Sequence, residues 1–296
     1  MYTRPTMRQL LLFVAALFVA PWILDWLLGF FLAPPSGSLS SFLSRFVPVI
    51  WTPTLLALLF VGIADGLAGL RHELKARLSY RRGSGRWLIV AAIVPVLAMS
   101  IALFGARAAG DSAAFISANA IPTMIGLQVI TGGVAEELGW RGFLLPRLAK
   151  HLGEVRAAWV MGLFWSLWHV PAWFDPALPH HTMPIVPTLL FIAFFGVFLA
   201  FVFNGAGDSV LATIAAHLSL NVMIGFGGVQ VSSTVFWGAL AAVFGTLAVI
   251  ITIRSRRWPG RSDPRSTSFV VPRANALGSH PQTRSVGGKY ARSVSE

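Results

Sequence analysis

The chain has 296 residues, of which 55% are apolar and only 11% charged, with a mean hydropathy of +0.71. Ordinary soluble domains carry about 25% charged residues, so a water-soluble globular fold is excluded. Cysteine is absent, which removes disulfides, thiolate metal sites and cysteine nucleophiles. The formal charge of +12 would suit nucleic acid, but the positions of the basic residues give it another purpose.

A membrane-spanning helix needs about 20 mostly apolar residues. Eight stretches qualify, at roughly 9–33, 46–65, 87–106, 119–141, 157–174, 185–203, 209–226 and 233–253. The first follows Arg4 and Arg8. Its apolar run is too long for a secretory leader and lacks a small-x-small cleavage site, so a retained anchor is expected. With a cytoplasmic N-terminus, every Lys and Arg except Arg45 and Arg107 falls in or beside an inside segment. That asymmetry is the positive-inside pattern, and it predicts cytoplasmic N- and C-termini. Nucleic acid is therefore not an expected partner.

The expected organisation has four parts. Residues 1–117 hold three spans and a basic loop, 65–86, suited to anionic lipid headgroups. Residues 118–226 form a core, 227–255 a last span, and 256–296 a basic cytosolic tail rich in Ser, Arg, Pro and Gly that is expected to be disordered. The fold class is all-α, a polytopic membrane helical bundle of about eight helices. No internal repeat is visible, which counts against the inverted-repeat architecture of many transporters.

Ionisable residues inside spans are costly, about 2.5–3.5 kcal/mol each at a helix centre, and usually functional. Asp25, Glu136, Glu137, His169 and His217 stand out. On an α-helix Glu137 and Arg141 are four apart and can pair, whereas Glu136 lies about 140° from Arg141 and needs another neighbour. A buried Glu136 would make a strong base. Gly132, Gly133 and Gly139 remove bulk and allow close helix approach. His169 stands near the end of the fifth span, and His217 and Asn221 are four apart on one helical face. A His and an Asn at one spot can donate to an oxyanion; a polar clasp between helices would use the same residues. Counted from the cytoplasmic ends, Glu136, His169 and His217 fall in one layer, expected to be approached from the cytoplasm.

These residues form an ordered set. Glu136-Glu137-Leu138-Gly139-Trp140-Arg141 reads EExxxR, Trp165-Ser166-Leu167-Trp168-His169 reads as an aromatic-xxx-His motif, and His217 precedes Asn221 by four. Over about 118–226 the sequence resembles the CPBP (Abi) intramembrane protease family, related to the type II CAAX prenyl endopeptidases. Trp165 stands where that family usually has phenylalanine, with Phe164 adjacent, and is expected to serve packing. The resemblance implies an endopeptidase in which Glu136, helped by His169, activates water, His217 and Asn221 stabilise the oxyanion, and Glu137 and Arg141 support the base. The family is often classed as metalloprotease. A metal such as Zn²⁺ stays open, with Glu136, His169 and His217 as its ligands if present, and none may be required. The implied substrate is a peptide or membrane protein, in the cell membrane; the sequence carries no signal of oligomeric state.

Other readings use the same chain. An inactive immunity or interaction protein would keep the scaffold. His169 and His217 could be axial haem ligands. Gly205-Ala206-Gly207-Asp208 with Leu24-Asp25 and Pro176-Ala177-Leu178 spells the presenilin-type pattern out of order, and Asp208 suits a helix N-cap better. His180 and His181 form a loop pair expected to be polar surface, with metal binding as the alternative.

Overall fold

The computed structural model describes residues 7–31, 39–80, 84–112, 118–176, 178–226 and 231–254. The tail expected at 256–296 lies outside the described residues. Eleven helices and no strand occur among them: α1 Met7–Phe31, α2 Leu39–Ile50, α3 Thr52–Leu78, α4 Gly85–Ala108, α5 Ile121–Thr131, α6 Gly133–Glu137, α7 Leu145–Leu152, α8 Glu154–Trp168, α9 Ile185–Gly205, α10 Val210–Phe226 and α11 Thr234–Ile253. A π-helical stretch, Leu138–Leu144, joins α6 to α7, and 3-10 turns occupy Val170–Phe174 and Pro179–Thr182.

Helices are what a bilayer permits, because the chain must satisfy its own backbone polar groups there. Five are long and apolar enough to cross: α1, α3, α4, α9 and α11. Together with the shorter apolar α10 they make a polytopic helical membrane bundle. Exposed Ile63, Leu67, Phe104 and Ile253, each more than 70% accessible, give these helices an outward apolar surface that suits lipid rather than water.

The remaining expected stretches take other forms. That at 46–65 starts after Ile50, where Pro53 opens α3, and runs on to Leu78 with a left-handed break at Gly66 (φ 64°). That at 119–141 is broken at Gly132, whose φ of −120° and ψ of −127° leave the helical region, and it passes through the π-helical stretch before Arg147. That at 157–174 begins earlier, at Glu154, and ends at Trp168.

At the centre is α9, whose apolar window is 56% buried against 22–33% for the other four long helices. Small residues bring it to α8: a Cβ on Gly196 would lie 2.6 Å from Gly162 Cα, and one on Gly162 would lie 2.5 Å from the Ala193 carbonyl. Phe191, Phe195 and Phe198 pack on Phe244 of α11.

Side chains tie the helix ends into two faces. On one, Arg77 donates to the Asp208 carbonyl (3.4 Å), Arg147 pairs with Glu73 (3.0 Å), and the Trp159 indole donates to Thr252 (2.9 Å). This joins the end of α3, α7, the start of α8, the α9–α10 turn and the end of α11. On the other, Ser233 at the start of α11 donates to Asp111 beyond the end of α4, and Ser166 donates to the Leu189 carbonyl (2.7 Å).

Candidate active site

The glycine pair after α5 sets the site. A Cβ on Gly132 would lie 2.9 Å from Asn221 Nδ2, and one on Gly133 would lie 3.1 Å from Ile214 Cα and 3.2 Å from His217 Cβ. Without side chains there, α6 lies directly on the α10 face that carries His217 and Asn221. The two glutamates follow on α6, both buried.

Their partners separate them. Glu137 Oε1 accepts from Arg141 Nη1 (2.8 Å) and from His217 Nδ1 (3.0 Å). Both Glu137 and Arg141 are fully buried; a charge without a partner there would be prohibitively costly. The Arg141 guanidinium also lies 4.3 Å from the centroid of the Trp165 ring, a favourable cation–π placement. Glu136 faces elsewhere, as the azimuths predict: its Oε2 accepts from Trp165 Nε1 (2.6 Å).

Trp165 therefore does more than pack. Its indole holds Glu136, and its carbonyl accepts from His169 Nδ1 (2.7 Å). A carbonyl has no proton to give, so Nδ1 carries the hydrogen, and the neutral ring has its lone pair on Nε2. The indole also meets the His169 and His217 rings edge-on, at 5.5 and 5.3 Å between centroids. Phenylalanine would keep the packing and lose the bond to Glu136.

Glu136, Trp165, His169, His217 and Asn221 line one cavity of about 930 Å³. The four residues expected to carry chemistry are thus brought to one wall, while Glu137 and Arg141 stand behind it. The remaining lining is largely apolar, with Phe18, Ile192 and Trp237 among it. Exposed Trp22 and Phe174 mark the mouth. Glu137, Arg141 and Phe143, which follow Glu136 toward the basic ends, are buried and are not among the lining residues.

His180 is the residue that sequence reasoning missed. Of the loop pair, His181 is exposed and its Nδ1 donates to the Trp173 carbonyl (2.9 Å). His180 turns inward, lines the cavity, and packs on His169 (5.8 Å) and Trp173 (5.2 Å). Its Nδ1 is buried without a hydrogen-bond partner, and burial pushes its pKa down to about 4. The available signal was its position, eleven residues after His169 and between Pro179 and Pro184. With one histidine inside and the other outside, the pair does not form a metal site.

The rival arrangements fare differently. Asp25 lines the outer part of the cavity, but Asp208 is not in its wall. Asp208 is left-handed (φ 65°), unlike the extended N-cap expected, and Ser209 Oγ faces the Leu211 amide instead (3.4 Å). His169 and His217, the candidate axial pair, both pack edge-on against the one Trp165 indole. For a metal, no three His, Asp or Glu side chains among the described residues converge as a ligand set, so Glu136, His169 and His217 do not fit one in this arrangement.

Fold and site define a polytopic helical membrane protein with a Glu/His/Asn cluster facing a cavity. Residues 117–223, which contain that whole cluster, match the family model described as Type II CAAX prenyl endopeptidase Rce1-like. It is also similar to CAAX prenyl protease 2 of Methanococcus maripaludis, 47% identical over 36 residues, which is 12% of this chain and 13% of that relative's length.

Proposed function

We propose that the protein is an intramembrane endopeptidase that hydrolyses a peptide bond with water activated by Glu136. The observation that carries this reading is the convergence of Glu136, His169, His217 and Asn221 on one cavity wall. Glu136 takes a proton from water, and the hydroxide adds to the scissile carbonyl carbon. His169, with Nε2 as its free base, relays that proton to the amine nitrogen as the C–N bond breaks. His217 is anchored through Nδ1 to Glu137, so its other nitrogen is the one left for the cavity. An N–H on that nitrogen and the Asn221 amide together donate to the tetrahedral oxyanion. Glu137 and Arg141 position His217 and Trp165 and do not touch substrate. A CAAX-type or precursor peptide is the substrate class that the likeness of residues 117–223 to these endopeptidases supports.

The test compares peptide termini in cells carrying wild type, Glu136→Gln or His217→Ala. Glu136→Gln should abolish a defined set of cleavages, and His217→Ala should slow them by about 10²–10³. Undiminished cleavage in both variants would sink the proposal.

A further inference from the structure

The fold separates two things that the sequence presents together: the basic face and the mouth of the cavity. Described basic residues sit at one set of helix ends. Arg8 opens α1; Arg71, Lys75 and Arg77 close α3; Arg86 opens α4. Lys150 ends α7, Arg156 opens α8, and Arg254 follows α11. The contacts of Arg77 with Asp208, Arg147 with Glu73 and Trp159 with Thr252 join these ends into one face. At the other ends stands Arg107, with Arg45 in α2. Under the positive-inside rule the basic face is cytoplasmic.

The cavity takes its wall from the opposite halves of the same helices. From α1 it uses Phe18 to Asp25, from α9 Thr188 to Phe195, and from α10 His217 to Gly225. The start of α11 contributes Trp237, and the turns after α8 contribute residues between Pro171 and Met183. No Lys or Arg is among the lining residues. Toward the basic face Glu137, Arg141 and Phe143 are buried and take no part in the lining. Glu136 precedes Arg147 by eleven residues, about two to three helical turns, so the reacting layer lies well inside the basic face.

We infer that this site receives its peptide from the non-cytoplasmic side of the membrane. Of the two substrate classes proposed above this selects the precursor, an exported or membrane-embedded segment presented in the outer leaflet, because a prenylated CAAX terminus held in the cytoplasm does not reach the site. The substrate class rests on the endopeptidase reading; the direction of access does not.

The absence of cysteine makes the direction measurable. Thr182→Cys lies in the exposed turn over the mouth, and His151→Cys is exposed at the end of α7. Neither changes a Lys or Arg. Intact cells producing the full chain are treated with a membrane-impermeant maleimide, then permeabilised and treated again. Thr182→Cys should react in intact cells and His151→Cys only after permeabilisation. Ser112→Cys and His72→Cys repeat the comparison on the two faces should either first variant fail to accumulate. The reverse pattern, or equal labelling of both faces in intact cells, overturns the inference. The termini lost in Glu136→Gln cells supply the second arm, and they should map to outward-facing segments. Mapping to cytoplasmic segments overturns the substrate class. Loss of no termini, with the expected labelling, defeats the endopeptidase reading and leaves the orientation standing.

Discussion

At the residue scale Trp165 is the junction of the site, since one side chain and its carbonyl hold Glu136, His169 and the flank of Arg141. Trp165→Phe removes a single N–H and leaves a buried carboxylate oxygen without its donor, a loss worth about 1–3 kcal/mol. Cleavage should fall by roughly 10- to 100-fold while the protein still accumulates in the membrane; equal rates by a timed cleavage assay would show that the bond is idle. His180 makes a different prediction. Its pKa is held near 4 by burial, below the ordinary value of about 6.5, so the unfolded chain binds the proton first as pH falls. Stability attributable to the neutral ring is intact above about pH 6.5 and declines toward pH 4. His180→Gln should flatten that decline in melting temperature measured from pH 7 to 4.5. The spacing of Glu136, Glu137 and Arg141 was legible along the chain because i, i+4 neighbours are local. The Trp165–Glu136 bond spans 29 residues, and the inward turn of His180 depends on a cavity wall built by other helices, so neither had a local signature.

At the element scale, helix approach sets the geometry. Gly162 and Gly196 touch across α8 and α9, and Trp165 is one turn from that contact. Gly196→Leu forces the helices apart, an overpacking cost of about 1–3 kcal/mol, and should lower the melting temperature in detergent and displace Trp165 from Glu136. Gly238→Ala, whose Cβ would meet nothing within 4 Å, serves as the neutral comparison; equal effects of the two would refute the packing argument. Hydropathy located the long helices well because length and apolarity are properties of a window. It ran across Gly132 and the π-helical stretch because a broken span and a continuous one share the same average hydropathy. The π-helix itself, where the i to i+5 pattern re-aims side chains and often marks functional segments, leaves no compositional trace.

For the whole molecule, composition was enough for membrane residence, and charge gave an expected pairing of helix ends. What they could not supply was which half of each helix faces the cavity, since both halves are apolar, and so the side of access inferred from the lining is opposite to the one expected. The fold also has an electrical side. A pocket reaching the middle of a membrane from one surface brings that surface's potential down with it. The transmembrane voltage then drops across the packed remainder around Glu137, Arg141 and Phe143, where about 2.3 kcal/mol per charge per 100 mV is at stake. The buried ion pair is thus the thin insulation of this protein, and a peptide at Glu136 sits on the flat part of the field.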